Sequence, residues 1–148
     1  MRLRALRIAT DTTVTEVDLP ETGALLAIRD HIGTTDAVDQ GIYHRLALLH
    51  VHGAGRAIGL EQNLAAWALA SAWRGTVLYP IHGPVVVTGR TRDGEVAALE
   101  DGLARHVHTT AQTVRETLGE WRSRPPASSE AALHELLANV TRGVVPGR

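Results

Sequence analysis

The chain contains no cysteine, no lysine and no phenylalanine. Without cysteine there are no disulfides, zinc–thiolate sites or sulfur nucleophiles, and the absence accords with a reducing compartment. Without lysine there is no Schiff-base chemistry and no phosphate loop of the usual kind, since both need the amine. The missing phenylalanine leaves three tryptophans and two tyrosines to supply the bulky aromatic packing. Neither sign of charge dominates: 15 basic residues stand against 16 acidic ones, a formal net charge of -1. A strongly basic nucleic-acid binder and an acidic mimic of DNA are therefore both disfavoured. No apolar run approaches the roughly 20 residues that span a bilayer. The opening MRLRALRIAT spreads arginines among its apolar residues, unlike a secretory signal. The expectation is a cytoplasmic protein that does not enter a membrane, and no cofactor is implied.

At 148 residues the chain fits one domain with room for a short appendage. Apolar and charged residues mix through the first ten positions in a pattern that favours a strand. Asp11-Thr12-Thr13 reads as a turn, and Val14 to Leu19 as a second strand ended by Pro20. Thr22 is placed to cap a short helix that Gly33 ends. Residues 34–41 show no period and read as loop. Ile42 to His52, IYHRLALLHVH, reads as one largely buried strand. Leu60 to Trp73 is rich in Ala and Leu and reads as a helix with a broad buried face. Thr76 to Tyr79 extends briefly before Pro80, and HGPVVVTG then supplies a central strand over Val85 to Thr88. Asp93-Gly94 marks a hairpin whose return strand is Glu95 to Leu99.

The cleanest period lies between Glu100 and Trp121, where Leu103, Val107, Ala111, Val114 and Leu118 recur every three or four residues. Arg124-Pro125-Pro126-Ala127-Ser128 breaks that helix. A last short helix, capped by Ser129, carries Leu133, Leu136, Leu137 and Val140. The expected order is β-β-α-β-α-β-β-α-α. It specifies an α+β fold: a mostly antiparallel sheet covered by helices, with a long helix and a short C-terminal one. The expected organisation is a domain over residues 1–122, a linker over 123–128 and an amphipathic tail over 129–148. The apolar residues of that tail are candidates for an interface, because a short amphipathic helix is marginal alone in water.

Eight histidines invite a metal reading. His50 and His52 share one face of a predicted strand, so both imidazoles could hold one ion. His44 lies on the same face, and His82 or Asp93 could add a ligand from a neighbouring strand. The alternative is a set of half-buried polar residues at a strand end, and no HExxH pattern favours the metal. His106 and His108 point apart on a helix and read as solvated. Asn63 could bind a ligand or could cap the Ala-rich helix that follows. Arg2, Arg4, Arg7, Arg122 and Arg124 could form a phosphate-binding patch or a solvated face. Thr88 has no partner that the sequence identifies.

Three segments carry a family resemblance. VTEVDLPETGALLAIRDHIG resembles the opening of DUF3846, a family of unknown function from actinobacterial phages and plasmids, with its V-x-E-V-x-L-P strand. GLEQNLAA, from Gly59 to Ala66, is similar to the family's G-L-P-x-N-x-x-A, with Asn63 and Ala66 on its Asn and Ala. HGPVVVTG and the Asp-Gly hairpin resemble its I-x-G-x-V-V-V-x-G block. The likeness covers residues 1 to 100. It departs at Glu61, where the family has Pro, and in the loop over 34–41. The resemblance implies a small accessory protein of a mobile element and implies no reaction.

The resulting expectation is an accessory or regulatory binding protein acting through protein contacts with a partner or with itself as a homo-oligomer. A His-based or metal-assisted enzyme is the alternative. Weak binding of nucleic acid through the arginines is a further one.

Overall fold

The computed structural model of the chain describes residues 2–35 and 37–144. Its first two strands, β1 (Arg2–Ile8) and β2 (Val14–Pro20), form the expected antiparallel hairpin. Asp11 closes the turn by accepting a hydrogen bond from the Thr13 amide on its Oδ1 at 2.9 Å. Helix α1 (Ala24–Ile32) ends at Gly33, whose φ of 84° lets its amide reach back to the carbonyls of Arg29 and Asp30. The helix starts at Gly23, with no side-chain cap, so Thr22 does not play the part expected of it.

The largest departure follows. Residues 34–41 are not simply loop, and Ile42 to His52 is not one strand. Two strands, β3 (Val38–His44) and β4 (Ala47–His52), pair antiparallel, with a register shift between Gly41 and His44. Their tight connection contains no Gly, Pro or Asn, the residues by which turns are recognised. A histidine does that work instead: Nδ1 of His44 accepts from the Leu46 amide at 3.1 Å. The segment from Thr76 to Tyr79, expected to extend, forms no strand.

Helix α2 (Leu64–Arg74) leads to β5 (Val85–Arg90), and the Asp93-Gly94 turn leads to the short β6 (Val96–Ala97). Among the described residues these strands make one six-stranded antiparallel sheet in the order β2-β1-β5-β4-β3, with β6 also on β5. HGPVVVTG thus supplies the central strand. The alternation along each strand builds two separate apolar layers. Leu6, Ile8, Ala47, Leu49, Val85 and Val87 face one side. Ala5, Val17, Leu19 and Val86 face the other, under Ala24, Ile28 and Ile32 of α1.

The first side is closed by α2, by α3 (Asp101–Glu120) and by α4 (Ser129–Thr141). Every residue of α2 from Ala65 to Trp73 is buried, as a helix apolar all round must be. The period of α3 holds: Leu103, Val107, Ala111 and Val114 are buried, and Leu118 packs at the core's margin.

The tail packs on its own domain. Leu136 and Val140 are buried in the chain's own core, and Leu133 and Leu137 pack against it. Helix α4 is further tied down by Glu135, which pairs with Arg124 at 2.8 Å and accepts from Trp121 Nε1 at 2.8 Å. Asn139 donates to Thr117 Oγ1 at 3.1 Å. The Pro-Pro segment is therefore a turn between packed helices, with Leu136 and Val140 in the core and Leu133 and Leu137 half-buried at its margin. Burying a leucine such as Leu136 is worth about 1.5–3 kcal/mol. No helix among the described residues is long and apolar enough to cross a membrane.

Candidate functional site

Because β4 alternates, Leu48, His50 and His52 belong to the α1 side of the sheet, opposite Thr88, Gln40 and Val38 on the neighbouring strands. Helix α1 packs chiefly over β2 and β5, reaches β4 less, and leaves a strip above β3 and β4 only partly covered. A pocket of about 440 Å³ opens there, lined by Leu25, Leu26, Arg29, Val38, Gln40 and His50 among others. Two of these are conspicuous for their exposure: Leu25 is 59% and Leu26 58% exposed. The stripe Ala24, Ile28, Ile32 takes the buried face of α1, so both leucines fall off it.

His50 is 0% exposed. Its Nε2 lies 2.9 Å from Thr88 Oγ1, and its Nδ1 has no hydrogen-bond partner among the described residues. Burial pushes the imidazole pKa down to about 4, so the ring is neutral near pH 7. The hydroxyl of Thr88 has one hydrogen bond among the described residues, the one to His50. If Nε2–H donated, both the Thr88 hydroxyl proton and the Nδ1 lone pair would go unused. If the hydroxyl donates to Nε2, only the Nδ1–H is left over. Unmet buried polar groups are costly, which favours the second arrangement, with the N–H on Nδ1.

His52 lies in a different place. It lines a cleft of about 710 Å³ at the end of β4, together with Tyr43, Arg56, Tyr79 and His82. The loop on one wall depends on its glycines. A Cβ on Gly53 would lie 2.7 Å from the Ala37 carbonyl oxygen, and one on Gly55 would lie 2.7 Å from that of His82. His52 Nδ1 accepts from the Ala54 amide at 3.0 Å, which puts the proton of a neutral ring on Nε2. His82 Nδ1 sits 2.9 Å from the Leu60 carbonyl, an acceptor only, so Nδ1 carries a proton and Nε2 of a neutral ring is the acceptor. One cleft thus holds an imidazole donor and an imidazole acceptor.

The two residues of the suggested metal pair, His50 and His52, line different cavities, and His50 Nε2 is engaged by Thr88. No group of three His, Cys, Asp or Glu side chains able to hold a metal gathers among the described residues. Of the two suggested third ligands, His82 does join His52 in a cleft, whereas Asp93 sits in the β5–β6 turn. His44 faces the opposite side, edge-on to Trp73. His106 is not simply solvated, because its Nδ1 accepts from Trp73 Nε1 at 3.1 Å.

The ligand reading of Asn63 gives way to a structural one. It is 0% exposed; Oδ1 caps α2 through the Ala66 amide, and Nδ2 donates to the carbonyls of Ile8 and Gly83, all at 3.0 Å. It ties the start of α2 to β1 and to the loop that carries His82. Three of the five candidate arginines are likewise engaged. Arg4 pairs with Asp101, Arg7 donates to the His31 carbonyl, and Arg124 pairs with Glu135.

Sequence reasoning did not single out Arg29, Gln40 or the exposure of Leu25 and Leu26. The leucines carried a usable signal, because the 24-28-32 stripe excludes both once Gly33 sets the end of the helix. The pocket itself required knowing that β3 exists. No protein-family model, no curated protein and no solved structure matches the chain.

Proposed function

We propose that this chain is a small cytoplasmic accessory or regulatory binding protein that acts through protein contacts, self-association foremost. The resemblance to DUF3846 supports placing it among accessory proteins of mobile elements. The observation that carries the reading is the pair Leu25 and Leu26, adjacent on α1 and 59% and 58% exposed beside a strip of sheet that α1 only partly covers. Contiguous exposed apolar surface of this kind marks interaction sites. The edge strand β3 borders the same strip, and an edge presents backbone groups that a second chain can pair with. Sedimentation velocity over a concentration series tests it. The wild type is expected to dimerise, and the Leu25→Glu, Leu26→Glu double variant to remain a folded monomer. A wild type that stays monomeric throughout, or a variant that dimerises equally, refutes self-association through α1.

A second reading, acid–base catalysis in the cleft at the end of β4, is favoured by the opposed tautomers of His52 and His82. Long-range nitrogen–proton NMR correlations distinguish the two ring nitrogens directly. The expected result is Nε2–H on His52 and Nδ1–H on His82; the same tautomer on both rings removes the basis for this reading.

A further inference from the structure

Among the described residues three buried side-chain polar atoms lack a hydrogen-bond partner, His50 Nδ1, Arg90 Nε and Thr110 Oγ1, and His50 lies at a pocket. His50 is fully buried and lines the cavity beside α1, and its Nδ1 is unpaired among the described residues. The Thr88 hydroxyl lies 2.9 Å from the other ring nitrogen, and the arrangement that leaves the fewest buried groups unmet puts the proton on Nδ1. A buried N–H without a partner is uncommon in folded proteins, and an acceptor oxygen would satisfy it. The rest of the lining limits what can bring one. Leu25, Leu26, Ile28, Ala37 and Val38 are apolar, Gln40 is neutral, and Arg29 is the sole charged residue on the described lining. The volume, about 440 Å³, is within the range of small-molecule sites, which pair an apolar wall with a few polar groups that set orientation.

We propose that this pocket binds a small amphipathic carboxylate, with its oxygens on the His50 Nδ1–H and the Arg29 guanidinium and its apolar body against Leu25, Leu26 and Val38. The cation supplies the charge, and the imidazole supplies the directed bond. Arginine suits this role because its planar fork matches a carboxylate. The exposed leucines then have a use within a single chain, because an apolar ligand body covers them. The site does not depend on self-association, and its test is read on protein dilute enough to be monomeric by sedimentation.

Decanoate is the probe and decanol its uncharged control, both titrated into the full chain while amide and imidazole NMR resonances are followed. The expected result is saturable binding of decanoate that shifts the His50 ring nitrogens and the amides of residues 25–29 and 38–40. Decanol should bind at least about tenfold more weakly, as expected for loss of a charge-assisted bond. Arg29→Gln, a substitution on the surface of α1, should lower decanoate affinity by a similar factor. Val38→Trp, which fills the pocket, should abolish binding. No saturable binding by the wild type overturns the proposal. So do shifts confined to other residues, equal affinity for decanol, and undiminished affinity in Arg29→Gln.

Discussion

Thr88 on the central strand and His50 on its neighbour meet across the α1 side of the sheet, hydroxyl to ring nitrogen at 2.9 Å, with both side chains fully buried. The contact favours the His50 tautomer protonated on Nδ1, and burial keeps this titratable base out of water.

That burial makes stability depend on pH. The folded His50 has a pKa of about 4 against an ordinary 6.5, so between these values the unfolded chain binds a proton that the folded chain does not. Stability is therefore complete above pH 6.5, declines as the pH falls, and levels off near 4. The shift corresponds to about 3 kcal/mol. His44 and His106 are also pushed down, mainly by burial, and add a loss of the same sign. Urea denaturation across this range should show a smaller decline in His50→Leu than in the wild type. An unchanged slope in the variant would mean that His50 is not the buried base.

Asn63 offers a sharper test of structure than alanine scanning usually does. Asp caps helices as well as Asn does, so a residue needed only as a cap would tolerate Asn63→Asp. Here Nδ2 donates to the Ile8 and Gly83 carbonyls, and a carboxylate would confront both oxygens with a buried charge. Asn63→Asp is therefore expected to destabilise by at least as much as Asn63→Ala, for which about 2–4 kcal/mol follows from one lost cap and two lost buried bonds. Equal stability of Asn63→Asp and wild type in chemical denaturation would overturn the tie.

The last helix is expected to behave as core. Leu136→Ala should cost about 2–5 kcal/mol. Truncation after Arg124 removes Leu136 and Val140 from the face of α2 and α3 and should abolish cooperative unfolding. Circular dichroism during thermal denaturation reads both. A truncated chain with a sharp transition near that of the full chain would show that α4 is dispensable.

Much of this architecture was legible because its signals are local. The period of α3 runs through Leu103, Val107 and Val114, and the Asp93-Gly94 pair announces its own hairpin. The valines of β5 are β-branched and flanked by turn residues. The β3–β4 hairpin was hidden for an equally local reason: its turn is stabilised by the His44 side chain, and the apolar residues on either side run together. The packing of the tail stayed open because amphipathic spacing shows that a helix has a partner without showing which one.

The candidate site was less legible than the fold. His50 and His52 could be placed on one face, since that follows from alternation alone. Their different surroundings could not be foreseen, because they depend on where α1 stops and where the glycine loop turns back. What the sequence determined by itself was the α+β class, most of the element order and the buried stripe of α3, all set by contacts within a few residues. What only the tertiary structure decided was the role of each polar side chain. Asn63 bonds to a carbonyl 55 residues away, and His50 to a hydroxyl 38 residues away. Hydrogen bonds act over about 3 Å in space regardless of distance along the chain, so no local pattern encodes them.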